Sequence, residues 1–275
     1  MSAATNRIQE IYETNVGASG KRVLIVEGVD DISGFSLFLD KVSVNWEDHW
    51  VIAGAGNKKM VLNILKKEPD WIGIVDRDEW TNDIIEQKQQ ELPNLWILPR
   101  FCLENYLIHP EELWQALPEI QQNKIEGSVD ELHQQLVQNF NKWIRHGVLW
   151  SVINPLWMGL RSLGFKEALL NPDISLDDDQ IQDKLNEWHR YLDPNTIYQQ
   201  FIDRLDEVNQ LPESEHFKNW IHGKVFYQQV VDTTLNILLG QKDSSERKIS
   251  ILRALPLPDD LTPLWQKMGL QEQAH

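Results

Sequence analysis

Acidic residues close two short apolar runs whose length is typical of β-strands. Glu27 follows the run 23–26, and Asp76 follows the run 71–75, with Asp78 two positions further on. Carboxylate oxygens are the ligands that Mg²⁺ and Mn²⁺ prefer, and several carboxylates at one place repel one another unless cations neutralise them. We therefore expect these three acids to form a metal site if the fold brings them together.

Two further acids extend this set. Asp31 lies four positions after Glu27, near the expected start of a helix, and Glu104 follows a third apolar run at 95–98. An acid at a helix N-terminus also caps the helix and complements its dipole. A purely structural role therefore stays open for both residues.

The elements that must position these acids alternate between strands and helices. Apolar runs predict strands at 23–26, 49–53, 71–75 and 95–98. Helical periodicity predicts helices at 5–14, 30–40, 58–67 and 82–91. This alternation predicts an α/β fold with a mostly parallel four-stranded sheet and flanking helices. Ligands of such sheets bind at the carboxyl ends of the strands, where these acids should converge.

Basic residues that suit a phosphate lie in the same part of the chain. The glycine-containing turn Gly54–Asn57 precedes Lys58 and Lys59 at an expected helix N-terminus, which is a favourable place for a phosphate group. Arg77 stands between the paired aspartates and can contact either an acid or a phosphate. A solvated helix face is the simpler role for the two lysines.

The pattern changes after about residue 110, where helical spacing replaces the alternation. Helices are expected at 129–143, 149–162, 180–191, 196–210, 217–239 and 245–255. We therefore predict two domains, an α/β domain at 1–110 and an all-helical domain at 111–275.

Composition and charge narrow the function classes. The 275 residues carry 26 Lys and Arg against 42 Asp and Glu, a net charge of −16, which argues against a passive nucleic-acid coat. The single cysteine, Cys102, excludes a disulfide framework and a cysteine-based zinc site. The N-terminus has no signal-peptide pattern, and the sequence has no apolar run of about 18 residues. We expect a cytoplasmic protein without a membrane segment.

The order of these fragments resembles the Toprim fold, the metal-binding module of topoisomerases, primases and OLD-family nucleases. The segment VLIVEGVDD at 23–31 gives a strand, Glu, Gly and a following Asp, and IVDRD at 74–78 gives a strand with Asp-x-Asp. The loop AGAGNKK at 53–59 falls where Toprim proteins place a small-residue turn. This resemblance covers about residues 20–110 and implies a Toprim-like catalytic domain.

Two later segments resemble a narrower Toprim-like group, the domain-of-unknown-function 4435 family. These are PRFCLENYLI at 99–108 and WIHGKVF at 220–226. Members of that family are often encoded beside AAA or ABC-type ATPases, and some resemble the effector nuclease of the PARIS anti-phage system. The resemblance implies a metal-dependent nuclease that acts on DNA or RNA in a defence system, together with an ATPase partner.

Carried over position by position, the resemblance assigns a role to each candidate residue. Glu27 matches the Toprim glutamate, which acts as a metal ligand or general acid/base. Apart from the resemblance, their positive charge suggests that Lys58, Lys59, Arg77 or Lys224 would neutralise charge that develops at the phosphate. The metal ligands, for one or two Mg²⁺ or Mn²⁺ ions, would be Glu27, Asp31, Asp76, Asp78 and Glu104. Tyr106 stays open as a nucleophile, although buried packing is the simpler role.

Other functions remain open on the sequence alone. The chain can instead be a non-catalytic regulatory subunit that binds an ATPase through its acidic helical half, and a homodimer is compatible with either function. A phosphatase of the haloacid-dehalogenase type also has Asp-x-Asp after a strand. In that group the Asp pair comes near the start of the fold and a Thr follows in phase, whereas here Glu27 comes first and Trp80 holds the matching position.

Overall fold

A computed structural model describes residues 2–166, 168–169 and 177–270 of the chain. Its centre is a sheet of four parallel strands in the order β2-β1-β3-β4. The strands are β1 (Arg22–Val26), β2 (Trp50–Gly54), β3 (Ile72–Val75) and β4 (Leu95–Ile97). The predicted α/β class and the parallel four-stranded sheet are confirmed, and each strand begins and ends within one residue of its predicted bounds.

Helices connect the strands and cover both faces of the sheet. Helix α1 (Ala3–Ile11) precedes β1, and α2 (Val29–Val42), α3 (Lys58–Leu65) and α4 (Asn82–Glu91) connect the successive strands. Alternate residues of β1 face opposite sides, so Val23 and Ile25 pack with Val61 and Ile64 of α3 on one face. Every residue of β3 is buried, as expected for a strand covered on both sides.

The rest of the chain is helical in the residues that the structure describes. The helices before residue 217 are α5 (Pro110–Gln115), α6 (Glu119–Gln122), α7 (Ser128–Val137), α8 (Phe140–Ser162), α9 (Asp178–Tyr191), α10 (Pro194–Asn209) and α11 (Glu213–Glu215). Those after it are α12 (Gly223–Phe226), α13 (Asp232–Leu239), α14 (Ser244–Ala254) and α15 (Thr262–Met268). None of the described helices has both the length and the apolar character needed to cross a membrane.

Two compact units make up the chain. The first contains Met1–Asn139 and Phe217–His275, and the second contains Phe140–His216. These bounds differ from the domains predicted at 1–110 and 111–275, because the chain after residue 216 returns to the unit that holds the sheet. For example, α14 contacts α2, and Lys41 of α2 donates to the carbonyl oxygens of Leu252 and Leu255 at 2.6 and 2.5 Å.

Candidate functional site

The candidate site begins between the two central strands of the sheet. The chain order reverses between β1 and β3, and such a reversal opens a crevice at the carboxyl ends of the strands. Glu27 follows β1 and Asp76 follows β3. The backbone N–H of Asp76 donates to Oε1 of Glu27 at 3.0 Å, so the first two predicted site residues meet.

Asp76 is the most perturbed acid of this group. It is 6% exposed, and burial raises the pKa of its carboxyl to about 8. The positive charge of Lys224 opposes that shift, and the carboxylates of the neighbouring acids add to it. A carboxyl group that resists ionisation near neutral pH is a frequent mark of a site that receives a cation or takes part in proton transfer.

Asp31 lies in the first turn of α2 and is also buried. Its Oδ2 accepts the backbone N–H of Gly28 at 2.8 Å, which is the capping contact that its position at a helix start suggests. Burial raises the pKa values of both Asp31 and Glu27. Asp31 therefore stabilises its helix and also contributes negative charge to the cluster around Asp76.

Asp78 lies beyond the strand on a backbone with a positive φ of 50°. Nζ of Lys58 lies 2.6 Å from its Oδ2, and its own N–H donates to the carbonyl oxygen of Phe101 at 2.8 Å. The Lys58 ammonium group also lies 4.3 Å from the ring centre of Trp80. A left-handed backbone at a non-glycine residue stores strain, and such residues concentrate at functional sites.

Lys224 reaches the same place from a distant part of the chain. Its Nζ lies 3.2 Å from Oδ2 of Asp76, and its side chain is half exposed. Burial lowers the pKa of Lys224, but the carboxylates of Asp76 and Glu104 outweigh that effect and hold it above the usual value. The lysine is therefore a permanent positive charge beside the central acid.

The segment that carries Lys224 lies between two π-helical turns, His216–Trp220 and Tyr227–Val231. π-helical turns are rare and occur frequently at functional sites, because the wider turn changes which side chains face a site and which carbonyl groups lose their usual partner. The carbonyl oxygen of Lys218, in the first turn, accepts the N–H of Phe101 at 2.8 Å.

Asn105 holds this segment in place. Its Nδ2 donates to the carbonyl oxygens of Phe217 and Ile221 at 2.7 and 2.9 Å, and its Oδ1 accepts the N–H of Cys102 at 3.2 Å. A Cβ added at Gly223 would lie 2.2 Å from Oδ1 of Asn105, so only glycine fits there. Asn105 and Gly223 together place Lys224 next to Asp76, a role that the sequence context of neither residue indicates.

Glu104 is 2% exposed and has an ion-pair partner that the sequence analysis missed. Nζ of Lys248, in α14, lies 3.0 Å from Oε1 of Glu104 and 3.5 Å from Oδ2 of Asp30. Oε2 of Glu104 is buried and has no hydrogen-bond partner among the described residues. Neither spacing nor composition singles out Lys248, since 144 residues separate it from Glu104.

The remaining candidates lie at the margin of the site. Lys59 is exposed, and a guanidinium nitrogen of Arg77 donates to Oδ1 of Asn82 at 2.8 Å. Tyr106 is fully buried, and its hydroxyl donates to Oδ1 of Asp260 at 3.0 Å. The Tyr106 side chain therefore has a packing role in this structure.

The carboxylate groups of this site are of the type that binds hard cations such as Mg²⁺ and Mn²⁺. Carboxylate oxygens with raised pKa values and one buried carboxylate oxygen without a partner are what a Mg²⁺ or Mn²⁺ ion would satisfy. In the part of the chain that the structure describes, no three Asp, Glu, His or Cys side chains are arranged to bind one metal ion. Lys224 and Lys58 supply the positive charge at Asp76 and Asp78 instead, so an ion would have to take over from these ammonium groups.

Comparison with known proteins does not assign this chain to a family. No protein-family model, no curated protein and no solved structure matches this chain significantly. The sequence motifs and the arrangement of acids and lysines at the sheet edge therefore carry the functional inference.

Proposed function

We propose that the protein is a Toprim-type nuclease that hydrolyses phosphodiester bonds of DNA or RNA with Mg²⁺ or Mn²⁺. One observation carries the proposal: acids from separate elements surround Asp76 at the carboxyl edge of a parallel sheet, with a lysine paired to each of the two strand-end aspartates. The order of the motifs along the chain, Glu-Gly before Asp-x-Asp, supports the Toprim assignment.

Each acid has a role in this proposal. Glu27, Asp76 and Asp78 would hold a divalent ion, and Asp31 and Glu104 would contribute to a second one. When bound, such an ion lowers the pKa of an attacking water and stabilises charge on the leaving oxygen. The raised pKa of Glu27 equips that carboxyl group to accept or donate a proton at its own oxygens.

The lysines would bind the substrate. Lys224 is half exposed beside Asp76, and Lys58 is held beside Asp78 by its ion pair and by the Trp80 ring. Both would contact phosphate oxygens and neutralise charge that develops on them, which is the main contribution of preorganised cations to phosphoryl transfer. These local cations would also let a strongly acidic chain approach a polyanion.

The resemblance to the domain-of-unknown-function 4435 family supports the wider setting. We propose that the nuclease is an effector of an anti-phage defence system in the cytoplasm and works with an AAA or ABC-type ATPase. A chain with a net charge of −16 binds nucleic acid weakly by itself, so a partner that delivers the substrate or releases the activity fits the charge balance.

The direct test is cleavage by the purified chain. Single-stranded DNA, duplex DNA, messenger RNA and transfer RNA should be incubated with Mn²⁺ or Mg²⁺, and with EDTA as the metal-free reference. We expect cleavage of at least one of these substrates, and we expect Glu27→Gln and Asp76→Asn each to abolish it. Glu86→Gln, an exposed acid on α4, is the matched control and should cleave like the parent chain.

Two results would contradict the proposal. One is cleavage that persists unchanged in both Glu27→Gln and Asp76→Asn, because a contaminant or another site would then be responsible. The other is cleavage that is equally fast in EDTA, which would remove the metal from the reaction.

A second function has its own observation. Lys224 and Lys58 already place an ammonium group beside Asp76 and Asp78, and a non-catalytic regulatory subunit of an ATPase complex needs no metal ion at these acids. That alternative predicts co-purification with an ATPase together with no heat of Mn²⁺ binding in calorimetry. A measurable Mn²⁺ affinity that Asp76→Asn removes would favour the nuclease.

A further inference from the structure

Three lysines pair with acids of the candidate site, and Lys248 differs from the other two because it has two acidic partners among the described residues. Its Nζ lies 3.0 Å from Oε1 of Glu104 and 3.5 Å from Oδ2 of Asp30. The surroundings of these two carboxylates differ, because the Glu104 side chain is 3% exposed whereas the Asp30 side chain is 73% exposed. The ammonium group therefore lies between a buried acid and an acid that faces water.

The backbone that carries Lys248 is fixed to α2. Helix α14 contacts α2, and Lys41 in the last turn of α2 donates to the carbonyl oxygens of Leu252 and Leu255 at the end of α14. Asp30 lies in the first turn of the same helix α2. Because a lysine carries a compact charge on a flexible four-carbon stem, a rotation of the Lys248 side chain alone can move the ammonium group from Glu104 towards Asp30.

The buried side of this contact contains two polar atoms without a hydrogen-bond partner among the described residues. They are Oε2 of Glu104 and the hydroxyl oxygen of Tyr227. The Lys248 ammonium group lies 5.7 Å from the centre of the Tyr227 ring, and Glu104 contributes, after burial and Asp232, to raising the pKa of Tyr227. Buried polar atoms in folded proteins nearly always have a partner, so this place beside Glu104 suits a bound ion or water.

A divalent ion at Glu104 and the ammonium group in its present position exclude each other. A carboxylate oxygen binds such an ion at about 2.0–2.6 Å. The ammonium group already lies 3.0 Å from Oε1 of the same carboxylate. Like charges at such separations repel strongly where water is excluded. An ion that binds to Glu104 therefore has to displace Lys248, and Asp30 is the acid that can receive the displaced lysine.

We propose that Lys248 is an exchangeable counter-ion, which pairs with Glu104 in the metal-free protein and moves to Asp30 when a divalent ion binds. This inference rests on the proposed function, because it concerns the second ion, to which Asp31 and Glu104 contribute. Lys248 keeps the buried carboxylate paired before the ion arrives. The same contact raises the metal concentration that the second ion needs, so it regulates the loading of the site.

The first test is calorimetric titration of the full chain and its variants with Mn²⁺. Lys248→Met should raise the affinity for the Glu104-dependent ion by about tenfold or more, because the ion no longer has to displace an ammonium group. Glu104→Gln/Lys248→Met should lose this gain, which assigns the gain to Glu104. Lys242→Met, which removes an exposed lysine just before α14, is the matched control and should bind Mn²⁺ like the parent.

The second test separates the exchange from a general attraction between Asp30 and cations. Asp30→Asn should weaken binding of the Glu104-dependent ion in the parent, because the displaced lysine loses its acceptor. In Lys248→Met the same substitution should have little effect, since no lysine has to move. Asp83→Asn, which removes an exposed acid from the first turn of α4, should leave the affinity unchanged in both backgrounds.

Thermal denaturation gives a readout that depends on neither cleavage nor calorimetry. Mn²⁺ should raise the melting temperature of Lys248→Met more than that of the parent, because the ion gives the buried Glu104 carboxylate a partner again. A purely structural ion pair would leave the two increases equal. If circular dichroism shows that Lys248→Met is unfolded, Lys248→Gln, which keeps a donor without the charge, replaces it in every comparison.

Two results overturn the exchange while the proposed function stands. One is an affinity for the Glu104-dependent ion that Lys248→Met leaves unchanged or lowers. The other is an effect of Asp30→Asn that is equal in the parent and in Lys248→Met. The ion of the proposed function is identified separately by its loss in Asp76→Asn. A parent and a Lys248→Met variant that both bind no Mn²⁺ overturn the exchange and the metal-dependent function together.

Discussion

Lys224 lies 3.2 Å from Asp76 although 148 positions separate the two residues in the chain. Asp76 ends a central strand, and Lys224 belongs to a short helix between two π-helical turns. The site is therefore built from both sequence segments of the first compact unit. The second compact unit lies between these two segments in the sequence. Several consequences of this contact can be measured.

Removal of the Lys224 charge should lower the cleavage rate more than it lowers stability. The ammonium group is half exposed, so the fold loses little, whereas a phosphate at the site loses a preorganised cation. We expect Lys224→Met to reduce kcat by about 100-fold or more and Lys224→Arg to retain part of the activity. Steady-state kinetics on a cleaved oligonucleotide measures both.

The control for this prediction is Lys124→Met, an exposed lysine in the same compact unit. It should change neither kcat nor the melting temperature. Equal kinetics in Lys224→Met and Lys124→Met would show that the contact with Asp76 has no part in catalysis.

Asp76 should make the metal-free protein less stable as the pH rises. Its folded pKa of about 8 lies above the value of an unfolded aspartate, so the folded state keeps a proton that the unfolded state loses. Stability contributed by the protonated form is present at acid pH and is lost progressively up to about pH 8. Asp76→Asn, which cannot ionise, should therefore gain stability relative to the parent by roughly 1 kcal/mol or more between pH 5 and pH 8.

Chemical denaturation in EDTA at the two pH values gives this difference. Glu86→Gln, which changes an exposed carboxyl group of α4, serves as the reference variant. A constant difference between Asp76→Asn and the parent across this range would contradict the raised pKa. By the same reasoning, Mn²⁺ must displace a proton, so the affinity of the parent for Mn²⁺ should increase with pH up to about 8.

Asn105 and Gly223 should behave as a coupled pair. Asn105→Ala leaves the carbonyl groups of Phe217 and Ile221 without their donor and should destabilise the protein by about 1–3 kcal/mol. Gly223→Ala brings a methyl group against the Asn105 side chain and should also destabilise it. The double variant should be less destabilised than the sum of the single variants, because Asn105→Ala removes the Oδ1 and Cγ contacts of the added methyl group and leaves only its contact with the backbone nitrogen of residue 105.

The variants of Asn105 and Gly223 also separate an effect on the position of Lys224 from an effect on folding. Nitrogen-15 spectra of the Lys224 side chain, recorded across the alkaline range, report whether its pKa stays raised by Asp76. In folded Asn105→Ala the pKa of Lys224 should fall towards its usual value, as it should in Asp76→Asn. A fully additive double variant with an unchanged Lys224 pKa would refute a positioning role for Asn105.

Glu104 is buried, whereas Lys248, its ion-pair partner, is 22% exposed. Lys248→Met leaves the Glu104 carboxylate buried without its partner and should cost up to about 3 kcal/mol of stability. Adding Glu104→Gln removes that buried charge and should restore most of the loss. Thermal denaturation of the parent, the two single variants and the double variant gives the coupling energy. A loss in the double variant that equals the sum of the losses in the two single variants would show that the pair carries no coupling.

The sheet and its acids were accessible to sequence reasoning because the signals are local. Strand length, apolar runs and the Gly after Glu27 are properties of neighbouring residues, and the parallel arrangement follows from the alternation of strands and helices. The meeting of Glu27 with Asp76 follows once both are placed at strand ends. The nuclease function and the metal ligands stay predictions.

The parts of the site that sequence reasoning missed depend on contacts between distant segments. The range 217–239 has one continuous helical pattern, yet the structure breaks it into α12, α13 and two π-helical turns. Asn105 accounts for part of this difference, because it binds the carbonyl groups of Phe217 and Ile221. The sequence around Lys248 does not indicate its role. A helical sequence pattern is the same whether a lysine faces solvent or pairs with a buried acid from a distant segment.

The return of residues 217–275 to the sheet also affects how the protein is made. A ribosome that has released only residues 1–139 has delivered all five acids but neither Lys224 nor Lys248. The unit with the sheet can be completed only after the inserted unit has been synthesised. A growing chain therefore carries an incomplete site until translation has passed both lysines.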